Sequence, residues 1–175
     1  MPVLRTINTN TNDKSNIVTA GAGGRYYMNF LKVPARLADF CNEINRRREL
    51  LLENPSEMAA YLLSFDAHNI LVSIHPWVDG NSRMSLLIMN HLQFEFNLVP
   101  TKVMTEDKAA YIEALNASRE EESMLPFQSF MLQEHIKNLK AEIEQYERSM
   151  DDDVVINVGK NLKNVGKENS YDTYN

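Results

Sequence analysis

His75-Pro76-Trp77-Val78-Asp79-Gly80-Asn81-Ser82-Arg83 separates two apolar helical patterns, and its setting decides the fold. Upstream, Tyr61, Leu62, Leu63, Phe65, Ile70, Leu71, Val72 and Ile74 place apolar residues nearly all round one helix. A helix apolar on every side belongs in the middle of a helical domain. Pro76 bars the α region to the residue before it, so the helix ends at His75. Downstream, Met84, Leu86, Leu87, Ile88, Leu92 and Phe96 mark a second helix over roughly 81–97. The stretch is therefore a loop between a buried helix and the N-terminus of another, and the implied class is all-α.

The helical period continues outward on both sides. From Pro34, Leu37, Phe40, Cys41 and Ile44 share one face, while Arg46-Arg47-Arg48 crowd the other and read as a solvated helix end. Asn54-Pro55-Ser56-Glu57 reads as the start of the central helix, with Asn54 as N-cap, Pro55 at N1 and Glu57 at N3. Thr105-Glu106-Asp107 opens a further helix with acids in its first turn. Leu125-Pro126 precedes a last helix, to about Met150. These make a core of about five or six helices over 34–150. Before it, residues 1–33 are rich in Asn, Thr and Gly; Ile17-Val18-Thr19 and Tyr26-Tyr27-Met28-Asn29-Phe30 read as short strands of an irregular hairpin. After it, residues 151–175 hold five acids and three lysines and few large apolar groups, and read as a flexible polar tail.

A chain of 175 residues suits one domain with a real hydrophobic core. The net charge of −6, from 18 basic and 24 acidic residues, argues against nucleic acid as the main partner. Cys41 is the single cysteine, so no intramolecular disulfide forms. Met1 to Asn16 carries no apolar signal-peptide core, and no run of apolar residues is long enough to span a membrane. Cytoplasmic localisation is the expectation. No Cys/His cluster has zinc spacing.

The loop concentrates chemistry. The first turn of the helix after it offers unpaired N–H groups and partial positive charge, which favour an anion. Gly80 permits close backbone approach, and Arg83 adds a planar guanidinium for phosphate oxygens. Asp79 is a hard oxygen ligand suited to Mg²⁺ shared with a phosphate. His75 is a candidate general base. His68, on the buried helix, reads as a hydrogen-bonded core histidine.

At these residues the chain resembles the Fic-domain family, whose motif reads His-x-Phe-x-(Asp/Glu)-Gly-Asn-Gly-Arg-x-x-Arg. His75, Asp79, Gly80, Asn81 and Arg83 match, and Trp77 stands for the phenylalanine. The resemblance extends over about residues 24–135, including Asp66-Ala67-His68 and the later Tyr111, Ala114-Leu115, Pro126-Phe127 and Phe130. It implies an all-α Fic-type domain with a small β-hairpin flap. It also implies transfer of AMP from ATP, the co-substrate, with Mg²⁺, to a Ser, Thr or Tyr hydroxyl of a protein target. Carried over, His75 deprotonates the hydroxyl and Asp79 holds the metal. Gly80, Asn81, Ser82 and Arg83 bind the phosphates, and Tyr26, Met28 and Phe30 form the target-binding flap. Self-modification at Tyr26 or Tyr27 and homodimer formation stay open.

Two positions depart from the motif. Ser82 replaces its second glycine and Leu86 its second arginine. The Doc branch of the superfamily also lacks that arginine, binds the nucleotide in another orientation and phosphorylates its target. Doc-like proteins, however, have Ala-Asn-Lys where this chain has Gly80-Asn81-Ser82. Alternatives to adenylyl transfer are thus Doc-like kinase action, or binding of nucleotide or protein without turnover. Of the family's inhibitory motif, (Ser/Thr)-x-x-x-Glu-(Gly/Asn), only Ser118 and Glu122 fit, with Ser123 following; Glu120-Glu121-Glu122 reads as a solvated acidic helix end.

Overall fold

The computed structural model describes residues 28–168, and side chains for residues 28–150. Five α-helices and two short 3-10 turns make up the described residues: α1 Val33–Glu53, α2 Glu57–Ile74, α3 Asn81–Glu95, α4 Lys108–Glu120 and α5 Leu125–Glu168. The 3-10 turns, Phe30–Lys32 and Thr105–Asp107, lead into α1 and α4. The chain divides into two units, Met1–Leu132 and Gln133–Asn175. The first contains α1 to α4 and the opening of α5; the second contains the rest of α5.

The all-round apolar character of α2 has a direct cause: α2 separates two hydrophobic clusters. On one side Leu63, Ala67, Leu71 and Ile74 pack with Val33, Phe40 and Ile44 of α1 and Leu92 of α3. On the other, Phe65 and Val72 pack with Met89, Ala114, Leu115, Phe127 and Met131. Each fully buried Leu, Ile or Phe contributes roughly 1.5–3 kcal/mol, so the central helix is held from both faces.

Several local expectations are revised. The N-cap of α2 is Ser56, whose Oγ accepts from Ala59 N–H at 3.3 Å. Asn54 instead ends α1, with φ −129° and ψ 80°. Pro55 accounts for this, since it keeps the residue before it out of the α region. The arginine triplet is not a solvated end, because α1 continues to Glu53. Arg47 reaches the buried Asp66 at 2.8 Å and Arg48 reaches Glu95 at 2.6 Å, tying α1 to α2 and α3. Arg46 alone stays outside, on Glu43 of its own helix.

Asn29 accepts from Leu31 N–H at 2.9 Å and starts a 3-10 turn, so Phe30 is not in a strand. Met28 and Asn29 are likewise in no strand; Ile17-Val18-Thr19, Tyr26 and Tyr27 of the expected hairpin lie outside the described residues, among which no strand occurs. The last helix runs to Glu168, past the Met150 boundary read from the sequence. Among the described residues no helix is long and apolar enough to cross a membrane.

Candidate active site

The loop between α2 and α3 is fixed from both ends. His75 caps α2 in the left-handed region (φ 50°, ψ 57°), and its N–H donates to Leu71 C=O at 3.0 Å. A left-handed cap is the usual escape when proline forbids another helical residue. Trp77 then packs against the first hydrophobic cluster. Its backbone is gripped by Asn81: Trp77 N–H donates to Asn81 Oδ1 at 2.9 Å, and Asn81 Nδ2 donates to Trp77 C=O at 2.8 Å. Asn81 is only 3% exposed. Its carboxamide shapes the loop, and what it offers an anion is its backbone N–H.

Gly80 is the N-cap of α3 at φ 84°. An L-residue there is strained by about 1–2 kcal/mol, which explains the glycine. The first helical hydrogen bond runs from Met84 N–H to Gly80 C=O, leaving the amides of Asn81, Ser82 and Arg83 outside the helical ladder. Three N–H groups at the positive end of a fifteen-residue helix make an anion nest. Ser82 lies inside α3 and is not among the described non-glycine residues with positive φ. A serine in place of glycine therefore brings no backbone strain here.

Asp79 Oδ1 accepts from Gly80 N–H at 2.6 Å, and Oδ2 pairs with Arg83 at 3.0 Å. Both side chains project into solvent, 89% and 78% exposed. Such an exposed pair is worth little and gives way readily when a phosphate and a cation arrive. Among the described residues no group of three or more His, Cys, Asp or Glu is placed to hold a metal ion. A lone carboxylate beside an anion nest suits Mg²⁺, which keeps several waters and shares its ligands with phosphate.

Two cavities meet at this loop. One, about 450 Å³, is lined by His75 and by Val78 to Arg83. The other, about 540 Å³, is lined by His75 and Ser82 together with Leu86, apolar side chains of α2 and α4, and Lys108, Tyr111 and Arg119. His75 and Ser82 are common to both. Leu86 is half-buried, packs on the second hydrophobic cluster, and faces the second cavity.

The second cavity was not anticipated from the sequence, though a signal existed. Lys108, Ile112, Leu115 and Arg119 recur on one face of α4, an apolar stripe with a cation at each end. Behind its wall, Tyr111 Oη and His68 Nε2 share a hydrogen bond of 2.7 Å. Burial lowers the His68 pKa to about 4, against an opposing pull from the Ser85 carbonyl, and raises the Tyr111 phenol to about 12. His68 is thus a neutral, buried, hydrogen-bonded histidine that also stacks on Phe127.

Of the residues expected at the site, His75, Asp79, Gly80, Asn81, Ser82 and Arg83 line one cavity. Met28 and Phe30 precede α1 and line neither cavity. Ser118, of the inhibitory motif, is buried and its hydroxyl accepts from Phe127 N–H at 3.0 Å, which joins the end of α4 to the start of α5. Glu120, Glu121 and Glu122 are exposed.

Residues 4–93 match the model of the Fic/DOC family. The chain belongs to that family. A Fido domain-containing protein of Dictyostelium discoideum is 29% identical over 94 residues, covering 54% of this chain and 62% of that protein. A protein adenylyltransferase Fic of Drosophila persimilis is 35% identical over 78 residues, 45% of this chain but 14% of the relative. The crystal structure of a Fic domain-containing signaling protein from Bacteroides thetaiotaomicron superposes with a TM-score of 0.57 at 22% identity, over 73% of this chain and 52% of that one. It supports the Fic fold. The chain matches less than two thirds of the length of these relatives.

Proposed function

We propose that this Fic domain transfers AMP from ATP to a hydroxyl side chain of a protein target. The observation that carries the reading is the position of His75, on the shared wall of the anion nest and the second cavity. Nucleotide phosphates lie on the amides of Asn81, Ser82 and Arg83, and the Arg83 guanidinium turns from Asp79 to a phosphate oxygen. Asp79 would hold Mg²⁺, which would supply positive charge to offset the phosphates. The nucleoside occupies the second cavity, whose apolar walls accept a flat base. His75 takes the proton of the incoming hydroxyl, whose oxygen attacks the α-phosphorus, and pyrophosphate leaves.

The segment through Tyr26, Met28 and Phe30 is the proposed contact for the target chain. With Phe30 in a 3-10 turn, any strand addition falls to residues before Asn29.

One observation favours a second reading. Lys108 and Arg119 place two cations in the second cavity. If the terminal phosphates lie there, the γ-phosphate rather than the α-phosphate comes to His75, and the domain is a kinase. ATP labelled separately at the α- and γ-phosphates decides. Label on protein from the α position supports adenylyl transfer, and label from the γ position supports the kinase. Tight ATP·Mg²⁺ binding with no transfer to a bound target identifies a binding domain.

A further inference from the structure

The part of α5 in the second unit carries a pattern the nucleotide site does not use. Ile136, Ile143, Tyr146 and Met150 are 51%, 56%, 65% and 50% exposed. With Leu139 between them they recur at spacings of 3, 4, 3 and 4 residues, the heptad spacing of a coiled-coil seam. Ile136, Ile143 and Met150 take the a positions, Leu139 and Tyr146 the d positions. Around the seam the helix is polar, and on its outer face Arg148 reaches back to Glu144 at 4.0 Å. A stripe this regular left in water is a contact surface, since helices gain stability by burying their apolar face.

We propose that this seam pairs with the same seam of a second copy of the chain, as an antiparallel two-stranded coiled coil. The charges beside the seam select both occupant and direction. Lys140 and Glu147 hold e positions; Glu142 and Ser149 hold g positions. In a parallel pair Glu142 would face Glu147 of the second copy, a like-charge contact on both sides. In an antiparallel pair with Ile143 layered on Tyr146 of the second copy, and Leu139 on Met150, Lys140 faces Glu147 twice and Glu142 faces Ser149. One helix thus supplies both halves of the charge pair, as a two-fold contact between identical chains requires. Leu139, Ile143, Tyr146 and Met150 of each chain form the layers of this short coil, so the dimer forms at high concentration and dissociates on dilution.

Sedimentation of the full chain over a range of concentrations tests this. The chain should pass from monomer to dimer, and Ile143→Asp should weaken the dimer at least tenfold with an unchanged thermal melt of the monomer. Lys140→Glu and Glu147→Lys should each weaken it several-fold, and the two together should restore it. In a Cys41→Ser background, a mixture of Leu139→Cys and Met150→Cys chains should cross-link, and Leu139→Cys chains alone should not. A chain that stays monomeric at every concentration, as it would with another segment covering the seam, overturns the proposal. So does a dimer that survives Ile143→Asp, and so does efficient cross-linking of Leu139→Cys chains alone, which marks a parallel pair. Should Ile143→Asp fail to fold, restoration by the double charge exchange, or its failure, decides.

Discussion

Asn81 and Trp77 hold each other through both ends of one carboxamide, at 2.9 and 2.8 Å, across the turn that presents the anion nest. The side chain is buried, and no other side chain of that length offers a donor and an acceptor together. Asn81→Ala leaves both Trp77 backbone groups without their partner, and Asn81→Asp turns a carboxylate toward the Trp77 carbonyl. Each should lower stability by about 1–3 kcal/mol in chemical denaturation, and each should weaken ATP binding by loosening the nest. A variant as stable as the parent would show that the loop is held by Trp77 packing alone.

His68 makes stability depend on pH with a defined sign. Its folded pKa is about 4, below the unfolded value of about 6.5. Below pH 6.5 the unfolded chain takes a proton that the folded chain refuses. Stability present above pH 6.5 is therefore lost as pH falls toward 4, by on the order of 3 kcal/mol, and the loss levels off below that. Denaturation curves at pH 7 and pH 5 should differ in the parent and converge in His68→Gln. A slope unchanged in His68→Gln would assign the dependence to another group.

The sequence made the helices and the anion nest legible for different reasons. The helices follow from period and punctuation, so α2 and α3 lie within a few residues of their expected bounds and α4 starts three residues after Thr105. The nest follows from chain order, because Gly80 and Arg83 are neighbours on one turn. What stayed hidden depends on distant contacts. Asp66 gave no sign that it would meet Arg47 at 2.8 Å, nor Tyr111 that it would meet His68 at 2.7 Å. Asn81 carried a phosphate-binding role by resemblance, whereas its side chain is committed to Trp77, a contact four residues away that required the turn geometry to see.

His75 and Asp79 should separate catalysis from binding. His75→Ala removes the proposed base, and the loss of a positioned base typically costs roughly 10²–10⁴-fold in rate. Transfer should become undetectable with ATP·Mg²⁺ affinity nearly unchanged. Asp79→Ala should instead weaken ATP binding in the presence of Mg²⁺ and leave Mg²⁺-free binding alone, because the exposed Asp79–Arg83 pair contributes little by itself. Calorimetry with and without Mg²⁺ checks both. Strong Mg²⁺ binding without nucleotide, or full transfer by His75→Ala, would contradict the assignment.

Leu86 is the position at which the two transfer readings diverge. It stands one turn into α3 from Arg83 and borders the cavity that contains Lys108 and Arg119. An arginine at 86 can lay its stem on the apolar wall that leucine now covers and bring its head to the cavity. Loss of the half-buried leucine should cost about 1 kcal/mol of stability. The added charge-assisted hydrogen bonds should tighten ATP binding by about 1.5–3 kcal/mol. If AMP is the transferred group, an arginine at 86 that reaches past Ser82, on the border of the two cavities, to phosphates held on the nest should raise α-label transfer, because a clamp on the terminal phosphates fixes the α-phosphate before His75. If the γ-phosphate is transferred, the same clamp draws it away from His75 and γ-label transfer should fall. Ser82→Gly added to Leu86→Arg should change little, since Ser82 already has helical backbone angles. Unchanged nucleotide affinity in Leu86→Arg would place the terminal phosphates out of reach of residue 86 and remove the expectation drawn from this position for either reading.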